Sequence, residues 1–209
     1  MGFADNLNDS NFGKIAPAPS VKFALPANIA LHQFHQVKAK DKASRKGIKK
    51  LIRPENANFL SRYIPSHGDT VHCVVRGDFV FADILPVLLN KSSANLIAIS
   101  TLGLSKKNAE MLAEMKSSGQ CRRLIVLVSH YFSQVDKIGT FAEVESILGD
   151  DIRVARTHCK VVLIDAPPNA YVVAGSANLR SSDTAEQFSI WNDRQLLNWH
   201  LDWMSIMQK

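Results

Sequence analysis

The strongest constraint on the fold is an alternation that begins at Val71 and runs to the closing residues. Short apolar, β-branched runs trade places with amphipathic stretches of helical period. Strand text reads at Val71-His72-Cys73-Val74-Val75, 95–100, 124–128 and 152–155. Between these runs, Asp78 is placed to cap a helix over 79–89, with Pro86 as a kink or early stop. Ser105 caps a second helix, with Ala109, Met111, Leu112 and Met115 inward and Ser117-Ser118-Gly119 as its stop. A third covers 140–148 and ends at Gly149. Three strands then follow on short links, at 161–164, 171–174 and 186–191, before a closing helix over 194–207 that carries Trp199 and Trp203. This order predicts the α/β class: a mixed, largely parallel β-sheet flanked by helices. The last strands are expected to be antiparallel, because their links are too short for crossovers.

Two of those closing strands frame a cluster of reactive side chains. Thr157-His158-Cys159-Lys160 leads into the run at 161–164, and Asp165 follows it. Side chains alternate along a strand, so His158 and Lys160 share a side while Asp165 has the opposite parity. Gly175 lets the backbone turn after 171–174, and Ser176 and Asn178 again share a parity. The strand pair thus brings an imidazole, an ammonium, a hydroxyl and a carboxamide to one spot. A nucleophile or base, a fixed positive charge and two neutral hydrogen-bonding groups suit a phosphodiester. A lone strand histidine is more often structural; the whole set is what speaks for chemistry.

The phrase His158-x-Lys160, four residues, Asp165, then Gly175-Ser176-x-Asn178 resembles the HKD motif of the phospholipase D superfamily. Every position of the motif is filled. The interval to Gly175 is somewhat longer than usual, and the Pro167-Pro168-Asn169 turn absorbs the difference. The resemblance covers residues 71–193. It implies an α-β-α sandwich and a phosphodiesterase that works through a phosphohistidine on His158. It also implies that Lys160 and Asn178 bind the non-bridging oxygens, that Ser176 adds one hydrogen bond, and that Glu186 orients the imidazole. Asp165 is expected to fix a loop or bind a backbone amide rather than do chemistry. The Lys160 ammonium disfavours imidazolium by like-charge repulsion, which keeps the nucleophile neutral. A second histidine must protonate the leaving oxygen. The chain has one motif, so the resemblance implies a homodimer sharing one active site across a two-fold axis. No metal or other cofactor is required, since lysines supply the positive charge.

The charge pattern bears on the substrate. The 209-residue chain has a net charge of +6, and it is unevenly spread. Lys38, Lys40, Lys42, Arg45, Lys46, Lys49, Lys50 and Arg53 stand against Asp41 alone, a local charge of +7 that leaves −1 for the rest. Ile48, Leu51 and Ile52 give this segment a thin apolar stripe at helical spacing, which reads either as a solvated helix face or as a phosphate-tracking arm. Pro54-Glu55-Asn56 opens a short helix that Pro65 stops. Residues 1–66 are read as an N-terminal extension containing the basic segment 38–53, and residues 67–209 as the catalytic domain. No apolar run is long enough to span a membrane, and the N-terminus has neither the basic start nor the apolar core of a signal peptide. Cys73, Cys121 and Cys159 are odd in number and widely spaced, which suggests buried free thiols in a reducing, cytoplasmic setting.

These features favour a small nuclease that contacts DNA or RNA mainly through the backbone. Two other readings stay open: a phospholipid or small phosphodiester hydrolase, and a non-catalytic dimeric nucleic-acid-binding module. Of the remaining histidines, His130 stands at a strand end where α/β sites gather. His32, His35, His67, His72 and His200 are read as structural or exposed.

Overall fold

The computed structural model describes residues 49–52, 57–76, 81–135, 139–179 and 185–207. Among these residues eight strands form one sheet: β1 (Lys49–Ile52), β2 (Thr70–Arg76), β3 (Leu96–Thr101), β4 (Leu124–Ser129), β5 (Ile152–Ala155), β6 (Val161–Ala166), β7 (Asn169–Gly175) and β8 (Ala185–Asn192). Their order is β1-β2-β8-β7-β6-β3-β4-β5.

The sheet is mixed, as expected, but it is not largely parallel. β1 with β2, β3 with β4 and β4 with β5 are parallel. The other four pairings are antiparallel. Helical crossovers between β3, β4 and β5 force the parallel half, and short links force β6-β7-β8 to reverse. Two further antiparallel contacts, β6 on β3 and β2 on β8, join elements far apart in sequence, and no local pattern announces them.

Apolar layers cover both faces. Ile97, Ile99, Val126, Val162, Ile164 and Val173 point to a larger core. That core is closed by α1 (Ile84–Leu89), α2 (Lys106–Ser117) and α4 (Thr140–Leu148). Ala98, Leu127, Leu163 and Val172 point the other way, against Leu197 and Met204 of α5 (Arg194–Ile206). β3 is therefore buried on both sides along its whole length, which is why its text is continuously apolar rather than alternating. The short α3 (His130–Val135) follows β4; it has no fully buried residue, but Phe132 packs partly buried against the larger core.

Several local signals act as read. Ser105 caps α2, its side chain accepting the Asn108 N–H at 3.3 Å, and Gly119 takes a left-handed φ of 77° just past its end. Asp193, which the sequence reading did not single out, caps α5 by accepting from Leu196 N at 3.0 Å. Others are displaced. The helix predicted over 79–89 opens as a 3-10 turn, Phe81–Asp83, and turns α-helical at Ile84. Pro86 thus falls in the first turn, where no intrahelical N–H bond is required, and does not kink it. Asp78 lies outside the described residues. The stretch around Leu51 and Ile52 is not helical: Lys49–Ile52 is an edge strand whose backbone pairs with Thr70 to Cys73. A 3-10 helix, Ala57–Tyr63, puts Leu60 into the larger core at 1 % exposure. Residues ahead of 67 therefore contribute both to the sheet and to its packing. Among the described residues no helix is long and apolar enough to cross a membrane.

Candidate active site

Reversal of β6 and β8 relative to β3, β4 and β7 gathers the reactive residues at one edge of the sheet. Thr157 to Lys160 enter β6 there, Gly175 to Asn178 leave β7 there, and Glu186 is the second residue of β8. The Gly175 N–H donates to the Lys160 carbonyl at 3.3 Å, which welds the two loops together at their bases.

His158 and Lys160 lie in an extended loop just ahead of β6, not in the strand itself. The His158 side chain is exposed, and Lys160 is half-buried. The Lys160 ammonium donates to the His158 carbonyl at 3.4 Å, so the cation sits beside the histidine backbone. Cys159, between them, is exposed rather than buried. The other two thiols are buried as expected, and burial pushes Cys73 up to about 12 and Cys121 upward too.

The second loop is held by β8. The Ser176 N–H donates to the Gln187 carbonyl at 2.8 Å, and Gln187 N–H donates back to Ser176 Oγ at 3.0 Å. The same hydroxyl donates to the Glu186 carboxylate. Glu186 is therefore engaged by Ser176, and within one chain it makes no hydrogen bond to His158 among the described residues. Asn178 Oδ1 is buried without a hydrogen-bond partner, alone among the described side-chain atoms in this. An orphaned buried acceptor costs about 1–3 kcal/mol, and such costs cluster at functional sites.

Asp165 does not join the group. It lies at the other end of β6, five residues from Lys160 or about 16 Å along an extended strand. There it receives Arg194 Nη1 at 2.5 Å and Asn95 Nδ2 at 3.5 Å. Its side-chain partners among the described residues are a guanidinium and a carboxamide, not a backbone amide. His130 opens α3 at the carboxyl end of β4, exposed and on the same sheet edge as His158. Of the basic segment, Lys49 and Lys50 fall on edge strand β1; Lys38, Lys40, Lys42, Arg45, Lys46 and Arg53 lie outside the described residues. No group of three or more metal-ligating side chains occurs among the described residues.

Four residues that sequence reasoning passed over secure the loops. Ser100 Oγ lies 3.1 Å from Thr157 Oγ1 and donates to the Cys159 carbonyl at 3.0 Å. Thr101 Oγ1 accepts the Leu179 N–H at 3.4 Å, and Asn108 Nδ2 donates to the Leu179 carbonyl. Their signal was legible: Ser100 and Thr101 are polar residues ending an otherwise apolar, fully buried strand.

No protein-family model matches the sequence, and no curated protein matches it. Solved structures do. A polyphosphate kinase from Porphyromonas gingivalis aligns at TM-score 0.50 and 12 % identity, over 66 % of this chain and 26 % of that one. The chain thus spans about a quarter of the kinase. A phospholipase D family member, Nuc from Salmonella typhimurium, aligns at TM-score 0.45 and 16 % identity, over 56 % of this chain and 79 % of that one. The kinase alignment shows a shared α/β fold; at these identities it shows nothing finer.

Proposed function

We propose that the protein is a metal-independent phosphodiesterase of the phospholipase D type, acting as a nuclease. The observation that carries this reading is the convergence of His158, Lys160, Ser176 and Asn178 on one sheet edge, with the imidazole open to solvent. An accessible imidazole is the nucleophile, forming a phosphohistidine. Lys160 and Asn178 bind the non-bridging oxygens, whose charge grows in the transition state. Ser176, clamped to Glu186 and Gln187, sets the height of the second loop.

One imidazole cannot be nucleophile and leaving-group acid in the same step, so two copies of the chain meet at their sheet edges. One of the two histidines then attacks phosphorus while its twin protonates the leaving oxygen. Glu186 of one chain is engaged by its own Ser176, so in this arrangement any carboxylate that orients His158 comes from elsewhere in the dimer. The basic segment 38–53 favours nucleic acid over lipid by its charge, and backbone contacts make binding steeply salt-dependent.

The test is cleavage of plasmid, single strands, RNA and short-chain phosphatidylcholine in excess chelator, beside His158→Ala and Lys160→Ala. The proposal expects nucleic-acid cleavage that survives chelation, with each variant losing about 10³-fold or more. Cleavage of lipid alone would move the substrate class. Full activity in His158→Ala, or an active monomer in sedimentation, would sink the mechanism.

A further inference from the structure

The end of β3 is built unlike the rest of that strand. Leu96 to Ile99 are apolar, and Ser100 and Thr101, both 0 % exposed, follow. Adjacent strand residues point to opposite faces, so the two hydroxyls serve different partners.

On one face, donor chemistry fixes the direction of every proton. The Cys159 carbonyl only accepts, so Ser100 donates its hydroxyl there. Ser100 Oγ, 3.1 Å from Thr157 Oγ1, must then accept the Thr157 proton. Thr157 Oγ1 in turn accepts the Cys159 N–H at 3.1 Å. The three bonds close a ring that grips both the N–H and the carbonyl of Cys159, the residue between His158 and Lys160.

On the other face the logic repeats. Thr101 donates to the Gly103 carbonyl at 3.0 Å and accepts the Leu179 N–H. Asn108, 6 % exposed on α2, donates to the Leu179 carbonyl. Both groups of the residue that follows Asn178 are thereby held.

We propose that Ser100, Thr157, Thr101 and Asn108 are positioning residues that lock the peptides carrying His158, Lys160 and Asn178. This role rests on the phosphodiesterase reading. All four are buried beneath the loops, none more than 8 % exposed. Each acts by removing freedom from a neighbour, and a misplacement of about 1 Å at a reacting group costs roughly 10²-fold in rate.

The experiment uses the full chain with bis(p-nitrophenyl) phosphate, so that it does not depend on the choice of nucleic acid. Thr157→Val and Thr101→Val keep the side-chain shape and delete the hydroxyl; Thr157→Ser and Thr101→Ser restore it. The Val variants are expected to lose about 10- to 100-fold in kcat with KM nearly unchanged, and the Ser variants to recover most of it. Amide exchange provides the second readout. Thr157→Val speeds exchange at Cys159 about tenfold and spares Leu179, and Thr101→Val does the reverse. If Thr157→Val does not fold, Ser100→Ala opens the same ring from the other side and is read by the same assays. Wild-type kcat and wild-type amide protection in the Val variants would overturn the proposal, as would equal losses in Val and Ser variants. A wild-type protein that cleaves no diester removes the function, while the exchange pattern still decides whether these peptides are locked.

Discussion

Gly175 lies so close to β8 that a Cβ on it would stand 2.1 Å from the Gln187 carbonyl oxygen and 2.6 Å from Phe188 Cα. The obstacle is backbone, which cannot swing aside. Glycine here is required by proximity to the neighbouring strand. Gly175→Ala is expected to cost about 2 kcal/mol or more, in the upper range for overpacking. It also parts Ser176 from Gln187, so activity falls further than stability does. Urea denaturation beside turnover measured well below the midpoint separates the two effects.

The three cysteines differ sharply in reach. Cys73 and Cys121 are buried, and burial raises both thiols, Cys73 to about 12. The reactive species is the thiolate. Native protein at pH 8 is expected to show one fast thiol toward a disulfide reagent, and Cys159→Ser none. Because Cys159 stands between His158 and Lys160, the labelled protein should lose diester cleavage, and the serine variant should keep its activity in the reagent. Two or more fast thiols in native protein would contradict the burial of Cys73 and Cys121.

The Asp165–Arg194 pair joins the tail of β6 to the start of α5, with side chains 21 % and 40 % exposed. Partial solvent access limits such a pair to about 1 kcal/mol. Asp165→Asn is expected to lower stability by roughly that amount and leave kcat intact, since the carboxylate lies at the far end of the strand. A tenfold loss of kcat in this variant would return Asp165 to the reaction.

His200 on α5 accepts Trp203 Nε1–H at Nδ1, 2.9 Å away, and burial lowers its pKa below 6.5. The unfolded chain therefore takes up this proton at a higher pH than the folded one. Well above pH 6.5 both states hold this histidine neutral, and the residue contributes no pH dependence. Stability falls as pH drops from there toward the folded value, because the unfolded state binds the extra proton. Denaturation midpoints between pH 7.5 and 5 should slope less steeply in His200→Phe than in the parent. Equal slopes would show that His200 keeps its ordinary affinity in the folded protein.

Much of this architecture can be read from the chain. The cap Ser105, the stops at Gly119 and Gly149, and the burial stripe Ala109, Leu112 and Met115 follow from local rules, and local rules placed them. Local rules failed where a distant partner decides. Leu51 and Ile52 sit at a spacing that fits helix or strand, and β2 settles the matter by hydrogen bonding to their backbone. His158 and Lys160 read as strand residues because the text beside them is apolar. They stay out of the sheet because Ser100 and Thr157 claim the Cys159 peptide groups that a ladder would use. Nothing local in the sequence pairs Glu186 with Ser176; only the fold brings the hydroxyl to its carboxylate.

The direction of β6 has a practical consequence. Enzymes with open parallel sheets are commonly searched for reactive groups just downstream of each strand. Here β6 runs against β3, so its upstream neighbours His158 and Lys160 arrive where β3, β4 and β7 finish. Anyone surveying such chains by looking only past the carboxyl termini of their strands would find Ser176 and Asn178 and walk by the imidazole.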